Sequence, residues 1–237
     1  MRLNKIALAS LVLGASALLA ACGGDSGGSL GGGSTLSLNG TAATGKALVG
    51  AVSANCKVGT GASTSNPDGS FTVLVNNGVG PCLLSITAGT TTLYSVTSGS
   101  GATQTGNITP MTHLLVSYLR NVPGMSAADP SAWFALATTR GLLADTPALT
   151  LRITRDFIPT LKAMLPSLSL ADGGFLFTAF TAGSTSASSD VDLEKLKTGL
   201  IVKSTGEPSD DTAAKLKTGA SDDKPEVAPT GATGAGS

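Results

Sequence analysis

From Leu36 to Val96 the large apolar residues come in short alternating runs, and from Ile108 onward they recur at helical spacing. This change of period, from two residues to about 3.6, constrains the fold more than any other feature of the chain. Leu36-Ser37-Leu38 alternates, and residues 48–54 are apolar and β-branched. Asn66-Pro67-Asp68-Gly69 is a turn signal. Phe71-Thr72-Val73-Leu74-Val75 reads as a strand, turned by Asn76-Asn77-Gly78. Cys82-Leu83-Leu84-Ser85-Ile86 and Thr92-Leu93-Tyr94-Ser95-Val96 complete the set. Strands at roughly ten-residue intervals with glycine-rich turns predict a small antiparallel β-sandwich over residues 35–107.

Residues 108–203 predict a separate helical region. Thr109-Pro110, Asp129-Pro130 and Thr146-Pro147 each place a capping side chain before a proline suited to the first helical position. After the first of these, Met111, Leu114, Leu115, Tyr118, Leu119 and Val122 form one apolar face. The second helix is expected to run to about Arg140, with Trp133, Leu136 and Ala137 inward and Gly141 near its C-cap. The third carries Leu149, Ile153, Phe157, Leu161 and Met164, and Pro159 must kink or split it. A fourth is expected over residues 191–200, capped by Ser189 or Asp190, with Leu193, Leu196 and Leu200 as its stripe. Residues 204–237 have few large apolar groups and are expected to be disordered. Lys-Leu-Lys-Thr-Gly, first seen at 195–199, recurs there at 215–219, and the second copy is not expected to form a helix core. The class is therefore α+β, with disordered termini.

The N-terminus bears on location. Arg2 and Lys5 precede about 16 mostly apolar residues, 6–21, short of the ~20 that span a bilayer. This pattern is that of a secretory signal peptide over residues 1–21. It ends in Leu19-Ala20-Ala21-Cys22, which resembles the lipobox of bacterial lipoproteins; an ordinary signal peptide with a chance cysteine is the alternative. The resemblance implies cleavage before Cys22 and several acyl chains on it, a durable membrane anchor. Gly23 stands where inner-membrane lipoproteins often carry aspartate, which leans the expectation towards the outer membrane. Gly24-Asp25-Ser26-Gly27-Gly28 resembles the run around a chymotrypsin-like nucleophile. Such a serine needs a folded barrel and its histidine before it, and the sole histidine, His113, follows. Ser26 is read as part of a Gly/Ser tether, residues 22–34.

With Cys22 lipidated, Cys56 and Cys82 remain, 26 residues apart, in an oxidising compartment. They are expected to form a disulfide. The alternatives are two buried thiols or half of a metal site, the latter short of soft ligands.

Gly40, Leu48-Val49-Gly50-Ala51-Val52 and Pro67-Asp68-Gly69-Ser70-Phe71-Thr72-Val73 resemble the carboxypeptidase-regulatory-like, or prealbumin-like, modules of bacterial surface proteins. The glycine-alanine-valine strand departs from the family pattern by one position. Asn107-Ile108-Thr109-Pro110-Met111-Thr112 resembles a run found where such a module meets a helical region in Gram-negative lipoproteins of unknown function. The resemblance implies a stalk or binding fold and supplies no active-site residues.

The chemistry in the chain is sparse. Arg2 and Lys5 lie in the leader, so 13 basic residues face 15 acidic ones beyond it, and no basic patch points to nucleic acid. Gly40-Thr41-Ala42-Ala43-Thr44-Gly45-Lys46-Ala47 is one residue from a phosphate-binding loop, but the magnesium-holding position is Ala47 and a strand follows. His113 lies off the apolar face, near Ser117 and Arg120, and is expected to be solvated. Asp190, Asp192 and Glu194 read as a helix start rather than a calcium loop. No catalytic set can be assembled around one histidine, so the expectation is a non-enzymatic, lipid-anchored envelope protein with no metal or cofactor. Its partner would be an envelope protein or glycan. An accessory or carboxylate-dependent hydrolase, using a pocket between the sandwich and the helices, is the alternative. Phe175, Phe177 and Phe180, flanked by glycines and a Ser/Thr-rich loop, are either core or a partner-binding patch.

Overall fold

Alternation decides which residues of the first half point inward. On β1 (Leu36–Thr41) Leu36 and Leu38 are buried. On β2 (Ala51–Val58) Val52, Ala54 and Cys56 are buried while Ala51, Ser53 and Asn55 are exposed. On β4 (Ser70–Val75) Phe71, Val73 and Val75 face in. The computed structural model describes residues 34–183 and 188–222. With β3 spanning Thr60–Thr64, β5 Val79–Ala88, β6 Thr91–Val96 and β7 Thr103–Thr105, β4-β1-β7 form one sheet and β3-β2-β5-β6 the other, packed around a core that includes Leu38, Val52, Val73, Leu84 and Ile86. All pairs are antiparallel except β1 with β7 (Thr103–Thr105), which is parallel.

β5 (Val79–Ala88) is buried without interruption from Gly80 to Leu84 because both its faces are covered. Cys82, Leu84 and Ile86 enter the sandwich core, while Leu83 joins the core of the helical part. On β6 (Thr91–Val96), Leu93 belongs to the first core and Val96 to the second. This sheet is thus a shared wall, and the helices pack on its outer face.

Cys56 and Cys82 are bridged. They are register partners on β2 and β5, so the bridge staples neighbouring strands of one sheet and lies within the sandwich core. The Cys56 N–H donates to the Gly59 carbonyl and the Cys82 N–H to the Thr97 hydroxyl. The pair is therefore a non-hydrogen-bonded one, the closer of the two antiparallel pair types. Its Cα separation, 3.8 Å, falls below the usual range for disulfides.

Two short strands have no alternation to betray them: β3 (Thr60–Thr64) and β7. β3 runs beside β4, and a Cβ at Gly61 would stand 2.7 Å from the Leu74 carbonyl oxygen, so only glycine fits there.

Helix α1 (Pro110–Leu119) begins in a capping box. Thr109 Oγ1 accepts from the Thr112 N–H, and the Thr112 hydroxyl accepts from the Thr109 N–H. Its expected apolar face is wholly buried. The expected second helix is two, α2 (Pro130–Ala135) and α3 (Ala137–Ala144), because Leu136 adopts an extended conformation between them. Phe134 turns inward beside Trp133 while Ala137 is exposed, and Gly141 lies inside α3 rather than at its end. Arg140 donates to the carbonyl of Phe134 and stacks on its ring, bridging the break.

Pro159 acts as its chemistry requires. Between α4 (Thr146–Arg152) and α5 (Ile158–Met164) the chain makes a π-helical turn, Ile153–Phe157, in which the Ile158 N–H reaches the Ile153 carbonyl. Widening the helix makes room for a ring that would otherwise collide with the preceding turn.

The C-terminal region departs most from expectation. α7 (Ser188–Thr198) buries Leu193 and Leu196, but Leu200 is 77% exposed, not part of the stripe. It is the left-handed residue (φ 56°) that follows the helix, and the N–H groups of Leu200 and Ile201 close on the carbonyls of Lys197 and Leu196. Ser189 and Asp190 fall within the first turn of α7, and their side chains lie outside the described residues. Beyond it, α8 (Asp210–Ser221) is a packed helix where disorder was expected. Ser209 caps it, and Thr212, Leu216 and Ala220 are buried, so the second Lys-Leu-Lys-Thr-Gly does contribute to the helical core. Only residues beyond 222 lie outside the described part at this end.

Candidate functional site

The junction between sandwich and helices is organised by one fully buried amide. Asn107 Oδ1 accepts the Thr41 N–H (3.1 Å), and Nδ2 donates to the carbonyls of Phe175 (3.1 Å) and Thr178 (2.7 Å). Its own N–H reaches the Leu176 carbonyl. Thr41 Oγ1 adds a bond to the Phe180 carbonyl, 2.7 Å. Together these bonds pin the single-turn α6 (Gly174–Phe177) and the strand-like segment after it against the end of β1.

A cleft of about 370 Å³ opens where this segment meets the outer face of the three-stranded sheet. Its floor is a row set by register: Thr72 of β4, Asn39 of β1 and Thr105 of β7 lie side by side. The Thr72 hydroxyl donates to Asn39 Oδ1 (2.8 Å), and Asn39 Nδ2 donates to Ser37 Oγ (3.3 Å). Phe180 and Thr181 form one wall and the turn carrying Asp68 another. In that turn Asp68 Oδ1 accepts both the N–H (2.9 Å) and the hydroxyl (2.7 Å) of Ser70. These bonds hold the carboxyl below the ordinary carboxylate range. Gly69 follows at φ 83°, and a Cβ there would meet the Ala42 carbonyl at 2.5 Å, so only glycine fits at this position of the turn.

The aromatic run does not form an exposed patch. Phe175 is buried, with its ring 6.0 Å from that of Phe157. Phe177 and Phe180 are half-buried against the helical core. Phe175 is thus core, and of the three only Phe180 also borders the seam cleft.

His113 is not the solvated residue its position suggested. Nδ1 accepts the Tyr94 N–H (3.3 Å) and the ring leans on the Tyr94 ring. Burial, and secondarily the nearby Arg120 charge, lower its pKa from the ordinary 6.5 to about 4. Because the neutral form is preferred in the fold, this contribution to stability is intact above pH 6.5. It is lost as the pH falls towards 4, where the unfolded chain takes up the proton first. The loss is about 3 kcal/mol at most. Urea midpoints measured between pH 7 and 4 should fall accordingly, and the decline should be shallower in His113→Gln.

A second cleft, of about 270 Å³, is lined by Asp172, Asp192 and Ser169 and lies within the helical part. Both carboxylates are engaged in local structure. Asp192, nearly fully buried, accepts the Ser169 N–H and the Lys195 ammonium (2.9 Å), and Asp172 accepts the Gly174 N–H. Asp192 therefore clamps a loop; Glu194 pairs with Lys197, and the Asp190 side chain lies outside the described residues. Among the described residues no group of three or more His, Cys, Asp or Glu comes together to hold a metal ion. Lys46 is exposed on an irregular turn with no helix after it. Cys22, Ser26 and the leader also lie outside the described residues.

No family model, curated protein or solved structure matches the chain. Among the described residues no helix is long and apolar enough to cross a membrane. Of the residues at the seam, Asn39 and Thr105 carry no signal in the sequence that would single them out, while Asn107 and Thr72 fall within runs that resemble known modules but with no site role attached. Register and a buried bond network bring them together.

Proposed function

We propose that this protein is a non-enzymatic, lipid-anchored component of the bacterial cell envelope. It is held at the outer membrane through Cys22 and serves a binding or structural role towards an envelope protein or glycan. The observation that carries this is the leader itself: a basic start, a short apolar run and Leu-Ala-Ala-Cys. The disulfide in the sandwich core accords with an oxidising compartment. A non-catalytic role is supported by the state of the polar groups. The single histidine is neutral near pH 7 and has one ring nitrogen committed to a backbone N–H. Asp172 and Asp192 are likewise bound into loop and helix geometry.

Cells fed an alkyne fatty acid should label the wild-type protein, and Cys22→Ala should yield an unlabelled, uncleaved precursor. Labelling and normal maturation of Cys22→Ala would overturn the proposal.

A further inference from the structure

The seam cleft has features of a ligand site that its structural role does not require. Its floor and walls present an amide, hydroxyls and one carboxylate, and no lysine or arginine lines it. Several of these groups are held in place before any ligand arrives: Asn39 by Ser37 and Thr72, Asp68 by Ser70, and the Phe180 backbone by Thr41. Capacity remains after those bonds are counted. Both Ser70 bonds fall on Asp68 Oδ1, and a threonine hydroxyl can both donate and accept. The half-buried Phe180 ring supplies an apolar surface at the rim.

We infer that this cleft binds a neutral oligosaccharide, with Asn39, Asp68, Thr72, Thr105 and Thr181 bonding its hydroxyls and Phe180 packing on a sugar face. This names a ligand class for the binding role proposed above and rests on that role. The chemistry selects it in three steps. An anionic ligand would meet a carboxylate and no cation. An extended peptide would need the free backbone groups of a strand edge, whereas the floor of this cleft is a sheet face. An aliphatic ligand would have to desolvate the amide, hydroxyls and carboxylate without replacing their bonds to water. A sugar offers hydroxyls that both donate and accept, along with a C–H face for the ring. The volume, about 370 Å³, lies at the small end of ligand pockets and suits one or two sugar rings.

The test uses the full chain, purified from membranes in a detergent without a sugar headgroup. Maltotriose and tri-N-acetylchitotriose are titrated against it and followed by amide chemical shifts. At least one should give saturable shifts grouped at residues 39–41, 68–72, 103–105 and 178–181, with a Kd on the order of millimolar. Asp68→Asn, and Phe180→Leu, which keeps an apolar side chain against the helical core, should each weaken binding at least about tenfold, a factor that corresponds to 1.4 kcal/mol, with little change in the unfolding midpoint. A loss of binding that merely tracks a loss of stability would contradict the assignment. So would the absence of saturable shifts with both sugars up to about 10 mM, or shifts grouped elsewhere. The mass of the N-terminal peptide is read from the same preparation. An unlipidated N-terminus there would count against the anchoring and leave the cleft untouched, while a lipidated protein indifferent to both sugars would count against the cleft alone.

Discussion

Replacing Asn107 with alanine should destabilise the protein by about 3–4 kcal/mol. The amide is fully buried and makes three side-chain bonds, those to Thr41 and Phe175 closed to water and the one to Thr178 partly so. Its removal leaves the Thr41 N–H and the carbonyls of Phe175 and Thr178 without those partners, and each orphaned buried group costs on the order of 1–3 kcal/mol. Asn107→Asp separates this effect from packing. Aspartate has the same shape and can still accept from Thr41, but when ionised it has no donor for the two carbonyls. It should be about as damaging as alanine, whereas a purely steric role would make it nearly silent. Because those carbonyls belong to α6 and the segment after it, amide exchange should accelerate first at residues 174–181.

Opening the Cys56–Cys82 bridge should cost a similar amount. Closing a loop of 26 residues lowers the entropy of the unfolded chain by an amount worth about 3–4 kcal/mol. The double variant Cys56→Ala/Cys82→Ala, or reduction of the wild type, should shift the urea midpoint accordingly with little change in the folded far-ultraviolet spectrum. The bridge joins strands that are already paired, so its loss should leave the sheet register in place. A reduced protein with an unchanged midpoint would mean that the link contributes nothing to the unfolded-state entropy.

Much of the fold is legible in the sequence, and where it is not the physical reasons are specific. An alternating run marks β4 because one of its faces packs into an apolar core, and the near-continuous apolar run of β5 is legible because both of its faces are covered. β3 and β7 escape because Thr-Gly-Ala-Ser-Thr and Thr-Gln-Thr bury little apolar surface and are held by backbone pairing to their neighbours. Pro159 announces a break in its helix, and the break takes the form of a π-helical turn. The turn at Asp68-Gly69 is equally plain. By contrast α8 reads as tail because Leu216 is its only large apolar residue. Thr212 and Ala220 complete a narrow buried stripe with it, too small for a composition-based reading to register. The signal that could have found it is local: Ser209 before two aspartates is an N-cap with an acidic first turn.

The seam follows the same logic. Aromatic content at 175–180 draws attention, but burial there depends on where Asn107 places the segment, a contact between residues far apart in the chain. His113 reads as solvated because its helix is apolar on another face, and only the approach of β6 covers it. The cleft residues Asn39, Thr72 and Thr105 are ordinary strand residues in sequence, and the β1–β4 and β1–β7 registers align them.

On the function proposed above, the protein is lipid-anchored at Cys22 and oxidised at Cys56 and Cys82. Intact mass spectrometry of the protein recovered from a membrane fraction, alkylated without reductant, tests this state most directly. The expected result is a chain beginning at Cys22, carrying acyl mass on that residue, with Cys56 and Cys82 unmodified by the alkylating agent. A chain that retains residues 1–21, or one whose Cys22 is alkylated as a free thiol, would contradict it.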